Sequence, residues 1–139
     1  MNYARLVVAT LIATIAYFVY GYLVEGLLIR KDFSPYTAVY RSADSIAKYV
    51  PIGLVSTLLA VFVLATLYAR GIAGGPGTLD AVRFGLLAGV FVALVDSLHN
   101  LVTLNIGIKL GIEITLSTVI QWTIVGVVIS LIYKLPQPH

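Results

Sequence analysis

The stretch that decides the fold is residues 84–103, FGLLAGVFVALVDSLHNLVT. It is apolar along most of its length, and its small and polar residues recur at steps of three and four, which places them on one face of a helix. The residues on this face are Gly85, Gly89, Ala93, Asp96, Asn100 and Thr103. Because Leu, Val and Phe surround them, the stretch predicts a membrane-spanning helix whose second half carries a polar site, to which His99 also belongs.

Composition extends this interpretation to the whole chain of 139 residues, of which 60% are hydrophobic and 11% are charged. A soluble domain averages about 25% charged residues. Four apolar windows are each long enough to cross a hydrocarbon core of about 30 Å. They predict helices over about 4–29, 51–69, 79–104 and 110–134. The fold class is therefore all-α, a four-transmembrane-helix bundle in a single integral membrane domain, 1–139, with both termini at one end, here called the near end.

The connection between the first two helices, at the opposite or far end, is patterned rather than slack. Ser34 and Pro35 are typical of an N-cap and a first helical position. Tyrosine and alanine then recur on one face, with charged residues on the other. This pattern predicts a short amphipathic helix over about 35–48 that lies in the membrane interface, followed by a second spanning helix that begins at Pro51. A solvated connector is the alternative.

Charge and cysteine content limit the functions. The net charge is +3, but the nine Lys and Arg lie at helix ends, where contact with lipid headgroups explains them better than nucleic acid does. Four of them lie at the near end and five at the far end, so the positive-inside rule favours neither orientation. The chain has no cysteine, which excludes disulfides and thiolate metal sites. We expect no metal and no other cofactor.

Matching the third and fourth helices by depth predicts which polar groups meet. Asp96 falls level with Gln121, Asn100 with Ser117, and Thr103 with Glu113, and Glu25 of the first helix reaches the height of the last pair. An aspartate at the bilayer centre costs about 2.5–3.5 kcal/mol and usually faces a bundle interior or a cavity. We therefore expect Asp96 to face the interior in the far half of the bundle.

Four interpretations of this polar cluster remain open. It is a hydrogen-bonded seam that fixes helix register, a proton- or ion-coupled pathway that uses Asp96, a pocket for a lipid or small apolar ligand, or a metal site. The candidate ligand-binding or proton-pathway residues are Glu25, Asp96, His99, Asn100, Thr103, Glu113, Ser117 and Gln121. The candidate helix-packing residues are Gly21, Gly85, Gly89 and Ala93. No internal repeat stands out.

Two local features carry a resemblance. The first helix ends in a segment rich in Tyr and Gly, residues 17–22, and the turn 103–109 leads to Gln121 and Trp122 in the fourth helix. The chain resembles a family of small four-helix bacterial integral membrane proteins, and this resemblance implies a fold and no activity. Small multidrug transporters also carry a glutamate in the first helix, but Glu25 lies too close to the far interface for that function to be carried over.

From these observations we expect a non-enzymatic protein of the bacterial inner membrane with a structural or accessory role. Its partners would be the lipid bilayer and either a second copy of itself or a larger membrane complex. The motif Gly85-x-x-x-Gly89 or the lipid-facing helix sides would mediate self-association.

Overall fold

A computed structural model describes residues 1–71 and 77–133. Within these residues four helices are long and apolar enough to cross a membrane: α1 (Tyr3–Leu28), α3 (Ala43–Ala69), α4 (Thr78–Thr103) and α5 (Ile108–Tyr133). A short helix, α2 (Arg30–Phe33), follows α1 directly. Within the described residues, the predicted all-α fold with four helices long and apolar enough to span a membrane is confirmed. The connection 72–76 and the predicted last residue of the fourth helix, Lys134, lie outside the described residues.

The most extensive packing is between α4 and α5, and α1 packs on another side of α5, so α5 lies at the centre of the bundle. The remaining helix, α3, packs mainly on α1. Its buried residues, Val61, Ala65 and Tyr68, all lie in its near half. The bundle is therefore closed at its near end, where Tyr68 also meets Phe84 of α4, and α3 leaves the far half of α1 uncovered.

The predicted interfacial helix over 35–48 is not confirmed. The chain instead forms a 3-10 turn at Ser34–Tyr36 and reaches α3 through Ser42, whose backbone is extended. The prediction that the second spanning helix begins at Pro51 is wrong, because α3 begins at Ala43. Ser42 caps it by accepting a hydrogen bond from the Ser45 N–H at 3.4 Å, and Pro51 lies inside the helix.

Two of the spanning helices contain a π-helical turn. In α1 the turn is Val24–Leu28, and in α4 it is Ala93–Ser97, between α-helical segments Thr78–Val92 and Leu98–Thr103. A π turn is bonded from i to i+5, so it holds one residue more than an α turn and shifts the faces of everything beyond it. Such turns are frequent at functional sites, and each of these two carries an acidic residue, Glu25 or Asp96.

Candidate functional site

Glu25 is the acidic residue of the α1 turn, and it lines two adjoining spaces at the far end of the bundle. The smaller one, the inner cavity, has a volume of about 160 Å³ and lies between α1, α4 and α5. The larger one, the far groove, has a volume of about 940 Å³ and lies between the end of α1, the connection 29–42 and the start of α3. The aromatic rings of Phe33 and Tyr40 line both spaces.

The inner cavity is lined by both polar and apolar groups. The polar ones include Glu25, Ser97 and Asn100, and the apolar ones include Ile106 and Ile114. Ser97 is buried and lies 2.8 Å from the hydroxyl of Thr118. Thr118 in turn donates to the carbonyl of Ile114 at 2.9 Å. Since a hydroxyl has one proton, Ser97 is the donor to Thr118, and its position in the cavity wall is fixed.

The far groove combines an apolar wall with a cationic rim. Tyr22, Gly26 and Ile46 contribute to the wall. The three basic residues that line it are Arg30, Lys31 and Arg41. All three are exposed, and the guanidinium of Arg41 lies 4.0 Å from the centre of the Tyr49 ring, a cation–π contact. This arrangement places three positive charges around the opening of the groove at the far end of the bundle.

The boundary between the two spaces is an aromatic pair. The rings of Phe33 and Tyr40 lie 5.0 Å apart with an interplanar angle of 77°, the edge-to-face geometry that aromatic pairs prefer. Burial raises the pKa of the Tyr40 phenol, and the charge of the nearby Glu25 raises it further. The hydroxyl of Tyr40 therefore stays protonated at neutral pH and is available as a hydrogen-bond donor next to Glu25.

The connection that covers the site is bonded to α5. Lys109 lies 2.5 Å from Asp32 and 3.5 Å from Glu113. The Tyr36 hydroxyl lies so close to Gly107 that a side chain there would collide with it. Within the described residues, the second carboxylate oxygen of Glu113, Oε2, is buried and has no hydrogen-bond partner. The connection is thus held to the turn between α4 and α5.

The prediction that Asp96 faces the bundle interior is wrong. Asp96 is exposed, and Ser97 takes the inward position because the π turn Ala93–Ser97 adds one residue before it. His99 and Thr103 are also exposed, whereas Asn100 is half-buried and donates to Asp96 at 3.4 Å. Only Asn100 of the predicted α4 group therefore reaches the inner cavity.

The predicted pairing of the polar residues of α4 with those of α5 is also wrong. Gln121 and Ser117 face α1 instead. The Gln121 amide donates to the carbonyl of Tyr17 at 2.9 Å, and Ser117 donates to the Tyr20 hydroxyl at 3.5 Å. Gly21 makes room for this contact, since a Cβ there would lie 3.3 Å from the Gln121 amide nitrogen.

The predicted packing glycines of α4 contact the backbone of α5. Gly85, Gly89 and Ala93 are buried. A Cβ at Gly85 would lie 2.6 Å from the carbonyl oxygen of Thr123, and one at Gly89 would lie 2.5 Å from that of Val119. These glycines are therefore used within the chain, where they bring α4 against α5.

Sequence reasoning missed several residues of the site. Ser97 and Thr118, the aromatic pair and the cationic rim were not among the candidates. One signal was available: residues 23–27, LVEGL, and 94–98, LVDSL, share a pattern of Leu, Val, an acid, a small residue and Leu, and each overlaps a π-helical turn.

No group of three His, Asp or Glu that could hold a metal ion occurs in the part of the chain that the structure describes. Comparison of the chain with protein-family models, with curated proteins and with solved structures finds no match. The resemblance to small four-helix bacterial membrane proteins therefore rests on the sequence features alone. The site has to be interpreted from its own geometry.

Proposed function

We propose that this chain is an integral protein of the bacterial inner membrane whose far groove binds an amphiphile with an anionic headgroup. The observation that carries the proposal is one groove with both an apolar wall and three cationic side chains, Arg30, Lys31 and Arg41. Its volume of about 940 Å³ is within the range of ligand sites, about 300–1,000 Å³. Basic pockets between membrane helices are typical sites for anionic lipid headgroups.

The position of Glu25 supports an orientation for the ligand. It lies in the last turn of α1, five residues before Arg30, so its carboxyl lies deeper in the bundle than the cationic rim. A carboxylate at that depth would repel an anionic headgroup. The headgroup would therefore stay at the rim, with its apolar chain against Tyr22, Gly26 and Ile46.

The other roles expected from sequence have less support. A proton- or ion-coupled pathway through Asp96 would need this residue inside the bundle, but it is exposed. Such a path would also have to cross the near half, where Gly85 and Gly89 pack directly on backbone atoms of α5. A non-enzymatic structural or accessory role is compatible with ligand binding, and it stays a prediction.

Lipid retention measured by native mass spectrometry tests the proposal. The protein is released from nanodiscs that contain equal amounts of phosphatidylglycerol and phosphatidylcholine, and the bound lipids are counted. We expect enrichment of phosphatidylglycerol in the native protein. The groove variant, in which Arg30, Lys31 and Arg41 are replaced by Gln, should lose about tenfold or more of that enrichment, since each basic residue near an anionic surface contributes about 1 kcal/mol.

The matched control removes three cations elsewhere. Arg5, Arg70 and Arg83 are exposed and lie at the near end, so their replacement by Gln changes the net charge equally and leaves the groove intact. The control should keep the enrichment. An equal loss in both variants would assign the preference to overall charge, and an unchanged groove variant would reject the proposed site.

A further inference from the structure

The outer face of α4 carries three polar side chains in its far half that the bundle does not cover. Asp96 lies in the π turn, and His99 and Thr103 follow it in the α-helical segment Leu98–Thr103, four residues apart. All three are exposed, so they lie on the side of α4 that the bundle leaves uncovered. The face of α4 that carries Ala93 and Ser97 is buried in the bundle. The polar face therefore points away from the helix against which α4 packs.

Hydrogen bonds within the chain satisfy this face only in part. Asn100 donates to one carboxylate oxygen of Asp96 at 3.4 Å, and the Thr103 hydroxyl donates to the carbonyl of His99 at 3.3 Å. Both bonds lie within α4. Among residues 1–71 and 77–133, no hydrogen bond reaches the His99 ring or the second oxygen of Asp96. Ionisable residues within membrane spans usually face protein or a water-filled cavity, so we expect a protein surface to cover this face.

We infer that a second copy of this chain covers the outer face of α4, with the two α4 helices parallel and each Asp96 bonded to the partner subunit's His99. Asp96 is a hydrogen-bond acceptor and His99 is a donor, and both lie on the uncovered side of α4. A two-fold axis along the membrane normal therefore forms the same contact twice, once from each subunit. The two residues differ in depth by about 4.5 Å, a gap that the two side chains span. The proposed occupant is therefore an identical chain.

Exposed apolar residues precede these polar residues toward the membrane centre. Phe91 lies just before the π turn and Val95 lies within it, and they are 67% and 60% exposed. They would supply the packing that the two polar contacts need. The surface differs from Gly85-x-x-x-Gly89, which α5 already occupies. Asp96, His99 and Thr103 do not line the far groove, so the inference stands independently of the proposed ligand.

Disulfide cross-linking tests the geometry, because the chain has no cysteine of its own. Thr103→Cys places a thiol on the proposed interface, and Leu98→Cys, exposed but about 140° around the helix, is the matched control. Both variants keep Asp96 and His99. In liposomes at a high lipid-to-protein ratio, we expect Thr103→Cys to form a cross-linked dimer about tenfold faster than Leu98→Cys. Equal rates would overturn the inference.

A residue exchange tests the chemistry. Asp96→Ala and His99→Ala each remove both symmetric contacts, so each should raise the dimer dissociation constant in liposomes by about tenfold. Asp96→His combined with His99→Asp rebuilds both contacts and should restore the constant to within about threefold of the native value. Failure of this rescue in correctly folded protein, or a native protein that is monomeric, would overturn the inference. If these variants do not fold, the cross-linking pair decides.

Discussion

The near and far halves of the contact between α4 and α5 are built in different ways. In the near half, Gly85 and Gly126 bring the two backbones so close that an added Cβ at Gly126 would collide with the Cα of Gly85. In the far half, where α4 contains its π-helical turn, the two helices are joined by a hydrogen bond between Ser97 and Thr118, and a cavity lies beside it. One helix pair thus provides close packing at one end and space for a polar site at the other.

The small residues and the polar residues of α4 both have roles opposite to those that the sequence predicts. The small residues look suited to contact between chains, but they are used in packing within the chain. The polar residue Asp96 looks suited to the interior, but it lies outside, and Ser97 replaces it. Small residues in a membrane helix therefore report where backbones meet, whichever chain they belong to.

The largest expected effect comes from adding one methyl group to the near half. Gly89→Ala puts a Cβ 2.5 Å from the carbonyl oxygen of Val119, so α4 and α5 must move apart. We expect the free energy of unfolding, measured by denaturation of detergent-solubilised protein with SDS, to fall by about 1–3 kcal/mol.

The control for this prediction is the same substitution in α3. A Cβ at Gly53 would have no atom within 4 Å, so Gly53→Ala adds no collision. It should leave stability unchanged or raise it by about 0.5–1 kcal/mol, because alanine has the higher helix propensity. If the two variants lost stability equally, the contrast between the two halves would be wrong.

The positions of the spanning helices could be predicted from the sequence because they depend on hydropathy summed over about 20 residues. The predicted span 4–29 corresponds to Tyr3–Leu28, and 79–104 corresponds to Thr78–Thr103. The error at the start of α3 has a local cause. Pro51 was interpreted as the first residue of the helix, but Ser42 caps a helix that begins at Ala43, eight residues before Pro51.

The faces of α4 could not be predicted in the same way. Steps of three and four residues report a face only while the helix keeps 3.6 residues per turn, and the π turn Ala93–Ser97 breaks that rule where the polar residues begin. The predicted depth of α4 relative to α5 was nearly right, since Ser97 meets Thr118 close to the expected level. The groove between α1 and α3 depends on where α3 leaves α1, which is a property of tertiary packing that no local pattern encodes.

A smaller effect is expected from the polar contact of the far half. Ser97→Ala removes the hydrogen bond to Thr118, while Thr118 keeps its bond to the Ile114 carbonyl. We expect a loss of about 0.6–1 kcal/mol in the free energy of unfolding, the usual range for a hydrogen bond between membrane helices.

The control is Ser56→Ala, which removes a serine that bonds within α3 to the Gly53 carbonyl and should cost less. A loss for Ser97→Ala as large as that for Gly89→Ala would mean that the far half is packed as closely as the near half.

The smallest effect concerns the ion pair that holds the connection 29–42 to α5. Asp32→Asn leaves Lys109 with Glu113 as its remaining partner, and exposed ion pairs add little to global stability, so we expect no change in the unfolding midpoint. We do expect faster amide hydrogen exchange in residues 30–42, with a difference from the native protein that shrinks as salt screens the native pair.

Asp80→Asn is the control, because Asp80 pairs with Arg83 within α4 and links no two elements. If exchange in the connection were unchanged in Asp32→Asn, the cover over the inner cavity would depend on the aromatic contacts of Phe33, Tyr36 and Tyr40 rather than on the ion pair.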